Sequence, residues 1–285
     1  MVIAGIQILN TVAGLALISL GLAIIFGMMR VMNFAHGELL MLGAYSVQLA
    51  HSSGLNIWIS MFVVAPLFVG LVGIVMERLV VRHLYGRMMD TLLATWGLSL
   101  FITGLITMIF GNMTRGISTP LGSFEIGGIR ESSYKFLIIG VTVVLFAAIY
   151  FILRRTRIGM IARATMDNPS QVAALGVNPG YVYTATFAVG AALSGLAGAV
   201  LAPLTGVLPT MGAAYIGKAF ITVICGGEAI LAGTASAAFL FGAINQVTTI
   251  VLNPEFGEVA LLIGALLMLR LLPAGLSSSF KRKVL

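Results

Sequence analysis

Long apolar runs recur along this chain and constrain its fold more than any other feature. They lie at about residues 6–28, 34–51, 56–77, 91–111, 135–153, 182–205, 214–230, 231–252 and 258–273. A stretch of roughly 20 mainly apolar residues is what a helix needs to cross the hydrocarbon core, where every backbone polar group must be paired within the segment. Composition agrees. Only 9% of the 285 residues are charged and 59% are hydrophobic, whereas a soluble domain carries roughly 25% charged residues to solvate its surface. The sequence therefore predicts an all-α polytopic membrane protein with about eight or nine transmembrane helices, read as a single domain over 1–285. The count turns on the run from Ile216 to Leu252. It is too long for one span and is interrupted at Gly226-Gly227-Glu228 and again at Gly233. Two short helices, or a broken or re-entrant helix near 226–233, both remain open.

Charge placement orients the spans. Eleven basic residues fall in clusters at Arg30, at Arg78, Arg82 and Arg87, at Arg154, Arg155, Arg157 and Arg163, and at Lys281, Arg282 and Lys283. With nine crossings and the N-terminus outside, all of these are cytoplasmic, and the other side keeps Arg115, Arg130 and Lys135, with Lys218 near its edge. The positive-inside rule favours that orientation and a cytoplasmic C-terminus. No charged segment precedes the apolar run from Ile6, so it reads as a retained first span. Basic clusters flanking spans are topology signals, and no nucleic-acid partner is expected.

Two joints stand out. Residues 112–134 are a Gly-, Ser- and Thr-rich external loop. Residues 154–181 are cytoplasmic and more structured, with Asn168 or Ser170 as a helix cap, Pro169 at the helix start and Gly176 at its close. This loop is either an ordinary basic loop on anionic lipid or a docking element for a cytoplasmic partner.

Polar residues near the spans mark candidates for a translocation path or its inner mouth. In Asn33-Phe34-Ala35-His36-Gly37-Glu38, Asn33, His36 and Glu38 sit at the joint between the first two spans. Ionisable groups in a bilayer normally face the bundle interior or a water-filled path; beside Arg30, the headgroup level is the competing placement. Thr95, Trp96 and Ser99, and Asn245, Gln246, Thr248 and Thr249, are either polar lining or interhelical hydrogen bonds. Glu228 lies either on the substrate path, at a helix break, or at the inner interface. Lys218 and Arg270 are placed to reach the headgroups. Gly190, Ser194, Gly195 and Gly198 form a small-residue stripe suited to close helix packing.

Chemistry of other kinds is missing from the sequence. There is no G-x-x-x-x-G-K-[ST] loop, no H-E-x-x-H and no G-x-S-x-G, and His36, His51 and His83 do not cluster. The single Cys225 excludes an intramolecular disulfide and a multi-Cys metal site. The expectation is a transport protein and not an enzyme, with no catalytic residues, no metal and no cofactor bound by this chain. Either solute moves down a gradient, as in a channel or secondary transporter for a small polar solute, or another subunit supplies energy.

Three segments carry a resemblance. Gly21-Leu22-Ala23-Ile24-Ile25-Phe26-Gly27 runs into Arg30-Val31-Met32-Asn33-Phe34-Ala35-His36-Gly37-Glu38, followed by Met41-Leu42-Gly43-Ala44-Tyr45. Next come Arg157-Ile158-Gly159 through Ala173-Ala174-Leu175-Gly176-Val177-Asn178, and then Gly190 to Gly198. Over nearly its whole length the chain resembles the transmembrane permeases of bacterial ABC importers for branched-chain amino acids, urea and short-chain amides. The resemblance implies a multi-pass subunit of the cytoplasmic (inner) membrane that forms a channel with a second related permease, as a homo- or heterodimer. Two cytoplasmic ATPase subunits would hydrolyse the ATP, and a periplasmic or tethered binding protein would deliver the solute. It also implies that 154–181 is the coupling segment, with Arg157, Arg163, Asp167, Asn168 and Gln171 facing the ATPase. The chain departs from the pattern at Gly226-Gly227-Glu228-Ala229, where Gly-Gly-x-Gly is usual, and at the loosely matching Arg270-Leu271-Leu272-Pro273-Ala274-Gly275-Leu276 ending.

Overall fold

The computed structural model describes residues 2–126, 129–227, 229–273 and 275–277. Each of the nine apolar runs falls mostly in helix, the seventh only as far as Gly226. The order is α1 (Val2–Met29), α2 (His36–Ser52), α3 (Ile57–Ile59), α4 (Ala65–Leu79), α5 (Met88–Phe110), α6 (Tyr134–Arg155), α7 (Arg157–Asp167), α8 (Pro169–Ala174), α9 (Pro179–Thr205), α10 (Met211–Gly226), α11 (Ile230–Val251) and α12 (Pro254–Leu271). A π-helical turn over Ser60–Val64 makes α3 and α4 one rod. Pro66 follows it directly; a proline lacks the N–H for the bond one turn back, and a local widening absorbs the missing link. Among the described residues six helices are long and apolar enough to cross a membrane: α1, the rod Ile57–Leu79, α5, α6, α9 and α11.

The run from Ile216 to Leu252 is two helices. α10 has 16 residues, about 24 Å at the usual rise per residue, short of the roughly 30 Å hydrocarbon core. It ends because Gly227 takes a φ of +80°, open to glycine without strain. Gly226 and Gly233 lie face to face: a Cβ on Gly233 would stand 2.3 Å from the Gly226 carbonyl oxygen. The C-terminal segment braces the break, where the Ala229 N–H donates to Ser277 Oγ at 3.2 Å. Glu228 lies outside the described residues.

Residues 112–134, read from sequence as a loop, contain a two-stranded antiparallel hairpin, β1 (Ser123–Ile126) and β2 (Ile129–Ser132), with Ser123 opposite Ser132 and Phe124 opposite Glu131. The polar–apolar alternation of Ser123-Phe124-Glu125-Ile126 carries that period-2 signal. Phe124 packs on Phe136 of α6, ring centroids 5.5 Å apart.

The residues group into two compact units. The first takes α1 as far as Ser19, Ser118–Phe146, and the chain from Gly217 onward; the second takes Leu20–Ile117 and Ala147–Ile216. In the first, α11 packs on α12 at Gly257, where a Cβ would meet Thr249 Oγ1 at 2.1 Å. Lys218 Nζ pairs with Glu258 Oε1 of α12 at 2.5 Å.

The second unit is centred on α9, which α2 and α4 approach at backbone distance. A Cβ on Gly43 would lie 2.0 Å from the Gly195 carbonyl oxygen, and one on Gly198 would lie 1.9 Å from that of Leu40. Gly21 meets the Gly190 carbonyl at 2.4 Å and Ser194 Oγ at 2.3 Å by the same construction. The small-residue stripe of α9 is thus where α1, α2 and α4 interlock with it. Bilayers provide no hydrophobic drive between helices, so close contact of small residues supplies the attraction.

Candidate translocation site

In the second unit the entry to α2 brings five of the candidate path residues together. Asn33 Oδ1 accepts the Ala35 N–H at 3.1 Å, a local turn that launches α2. Asn33, His36 and Thr95 are fully buried and Glu38 is 4% exposed, so protein, not bulk solvent, encloses all four. The Phe34 N–H donates to Thr95 Oγ1 at 3.1 Å, and Thr103 Oγ1 donates to Glu38 Oε1 at 3.2 Å. Thr95, Ser99 and Thr103 recur every four residues on α5, which sets Ser99 on the same face between two groups already engaged with the start of α2. The Ser194 hydroxyl gives its one proton to the Gly190 carbonyl at 2.8 Å, so His36 Nδ1, 3.3 Å away, is the donor to Ser194 Oγ.

In the first unit Gln246 lines a cavity of about 310 Å³ together with Gln7, Asn10, Thr11, Lys135, Thr249 and Ile250. Thr11 Oγ1 donates to Gln246 Oε1 at 2.6 Å, and Gln7 Nε2 donates to Glu131 Oε1 at 2.6 Å. Lys135 pairs with Glu131 Oε2. Asn245 lies outside this wall; its backbone carbonyl faces Gly257 of α12. Sequence reading singles out Gln246 and Thr249 but not Gln7, Asn10, Thr11 or Lys135. A signal was present: Gln7, Asn10 and Thr11 fall at i, i+3 and i+4 in an otherwise apolar span, and Gln246 and Thr249 fall at i and i+3, which puts each set on one helix face.

The hydrogen bond from Lys135 holds the Glu131 carboxyl below its ordinary value of 4.5, against the opposing effect of burial and with further help from Gln7. A depressed carboxyl contributes stability that is fully present above pH 4.5 and is lost as pH falls through the folded-state value. Glu131→Gln is therefore expected to melt below wild type at pH 7, with the gap closing as the pH is taken under 4.5. A constant gap across that range in a thermal-melt series would show that the charge contributes nothing.

The candidate coupling residues Arg157, Arg163, Asp167, Asn168 and Gln171 are all exposed, on α7, α8 and the joint between them. Thr156 Oγ1 caps α7 by accepting the Gly159 N–H at 3.1 Å, and Asn168 Oδ1 caps α8 by accepting that of Gln171 at 3.1 Å. Pro169 opens α8, and Gly176, at a φ of +86°, follows its close. α7 buries Gly159, Ala162 and Thr165, and α8 buries Val172. Ile158 and Leu175 stay 75% and 83% exposed. A second feature of this unit was not singled out in the sequence. Buried Glu77, in the last turn of α4, accepts from Tyr85 Oη at 2.5 Å and from Thr184 Oγ1, in the first turns of α9, at 2.7 Å. Burial, and then the bond to Glu77, pushes the Tyr85 hydroxyl well above its usual range.

A sequence model of the family described as "Branched-chain amino acid transport system / permease component" matches residues 5–272. The chain is 26% identical over 279 residues to the high-affinity branched-chain amino acid transport system permease protein LivH of Salmonella typhimurium, covering 92% of this chain and 90% of that protein. It is 27% identical over 277 residues to the permease protein BraD of Pseudomonas aeruginosa, with the same coverage. It is 25% identical over 272 residues to the probable branched-chain amino acid transport permease protein LivH of Methanocaldococcus jannaschii, covering 92% and 85%. No solved structure matches it. With the match running through all its apolar helices, the chain belongs to the family of permease components of branched-chain amino acid transport systems.

Proposed function

We propose that this chain is the inner-membrane permease subunit of an ABC importer, that it forms a translocation path with a second permease, and that separate ATPase subunits drive it through α7 and α8. The substrate class is branched-chain amino acids, as in the names of the relatives, with small amides such as urea as the wider range. A binding protein delivers the solute.

The observation that carries the ATPase-driven reading is the α7–α8 bracket. Caps at Thr156 and Asn168 and a buried inner face hold it in place, while Ile158 on α7 and Leu175 at the close of α8 stay exposed on an element that also carries exposed Arg157 and Arg163. Large apolar side chains left exposed on a basic, capped element are suited to a groove on a partner. ATP-driven closure of the ATPase pair would move this bracket and switch the permease between two access states.

The test is affinity purification in mild detergent from the native membrane. Wild type is expected to bring a nucleotide-binding subunit and a second permease. Ile158→Asp with Leu175→Asp is expected to cut the recovered ATPase by about tenfold or more, since burying two new carboxylates in a contact is costly. Permease yield and melting should not change, because both positions are exposed. Point substitutions serve better than a deletion of 161–172, which would remove the buried Ala162, Thr165 and Val172. A homo-oligomer without ATPase, whose uptake follows an ion gradient, would instead support a channel or secondary transporter.

A further inference from the structure

We infer that the cavity walled by Gln7, Asn10, Thr11, Lys135, Gln246 and Thr249 is a binding subsite for the zwitterionic head of an α-amino acid. The inference rests on the importer reading for its biological setting, but its chemistry comes from the cavity. The volume of about 310 Å³ lies at the small end of the roughly 300–1,000 Å³ of ligand pockets. Six of its seven lining residues are polar, in a part of the chain where α1 and α11 are otherwise apolar. Polar groups are costly there unless they are paired or serve a solute.

The donors and acceptors are sorted by sign. Lys135 Nζ carries three protons, and Glu131 takes one of them. Because Thr11 donates to the Gln246 carbonyl, the Gln246 amide keeps its two N–H groups as donors. Against these, Asn10 Oδ1 is a buried acceptor with no hydrogen-bond partner among the described residues. Lys135 and Gln246 thus suit a carboxylate, and a turn of the Asn10 side chain, which lines the cavity, would bring its unpartnered oxygen to an ammonium group. The Lys135 and Glu131 charges cancel, so a solute with no net charge gains both interactions without leaving an unbalanced charge behind. Simple cations and anions do leave one. An uncharged amide finds hydrogen bonds but brings no carboxylate to Lys135.

The experiment is equilibrium binding of radiolabelled leucine to the purified permease and to its full complex, paired with ATP-driven uptake in proteoliposomes. In wild type, leucine is expected to bind at least about tenfold more tightly than leucinamide or urea competes, the size of one good charge-assisted hydrogen bond. Lys135→Gln is expected to weaken leucine binding about tenfold and to erase that preference, and Gln246→Leu to weaken it several-fold. Glu131→Gln frees the ammonium and is expected to tighten leucine binding. A purely structural role for the ion pair would move Lys135→Gln and Glu131→Gln in the same direction, which would overturn the inference. Wild-type leucine affinity in folded Lys135→Gln and Gln246→Leu, with ATP-driven uptake intact, would also overturn it and leave the importer reading standing. Leucine binding weakened by Lys135→Gln, but with no ATP-driven uptake by the wild-type complex, would support the subsite and sink the importer reading.

Discussion

Gly198→Leu is expected to leave no folded permease in the membrane, and Gly198→Ala alone to lower the melting temperature by about 10 °C. The Cβ of an alanine at 198 would stand 1.9 Å from the Leu40 carbonyl oxygen, and one at Gly43 would stand 2.0 Å from that of Gly195. Both obstacles are backbone atoms, so no rotamer change relieves either clash. α2 and α9 must part by more than an ångström and lose the dispersion contacts that hold them together. Overpacking of a tight core costs about 1–3 kcal/mol and occasionally more, and each kcal/mol shifts the melting temperature of a chain this size by about 2–4 °C. Gly104 provides the contrast, since nothing lies within 4 Å of where its Cβ would be. Gly104→Ala should be neutral or stabilising by up to about 1 kcal/mol through helix propensity alone. Fluorescence-detected size exclusion and thermal melts of the three variants decide the matter. A Gly198→Ala protein that melts with wild type would refute the backbone-distance packing of α2 on α9.

Glu77→Ala is expected to cost about 2 kcal/mol, and Glu77→Gln much less. The carboxylate ties the last turn of α4 to Tyr85 and to Thr184 on α9. Its removal takes that acceptor from the half-buried Tyr85 hydroxyl, at a penalty of about 1–3 kcal/mol, while Thr184 keeps its bond to the Gly180 carbonyl at 3.0 Å. Glutamine keeps the volume and one acceptor oxygen, so it retains one of the two bonds. Because α9 follows directly on α8, the loss should also reach the bracket, and ATPase-coupled uptake should fall more steeply than the amount of folded protein. Uptake per folded molecule that stays at wild type in Glu77→Ala would limit the network to a stabilising role.

Much of this architecture is legible in the sequence, and the reasons are local. Apolar run length predicts helix wherever about 20 residues cannot leave backbone groups unpaired, and each of the nine runs carries a helix. The Asn168–Pro169 start and the Gly176 close of α8 follow from capping chemistry that needs only neighbours in the chain. The small-residue stripe of α9 announces close packing because side-chain size is written in each position. Less local features stayed hidden. The hairpin over Ser123–Ser132 reads as loop because four-residue strands give a short signal, and nothing near Lys218 in sequence points to its partner Glu258, forty residues on.

What the sequence alone determined is the membrane class, the helical segments and the family. All three rest on composition, periodicity and contiguous motifs. The tertiary structure decided which polar residues work together. It drew Thr95, Ser99 and Thr103 to the start of α2, converted Glu77 from one charge in a basic joint into a buried bridge, and set Lys135 and Gln246 around one cavity with Asn10. Such groupings depend on which helix faces meet. A side chain's surroundings come from residues tens or hundreds of positions away, and a one-dimensional pattern carries spacing along its own helix but not the identity of the opposing face.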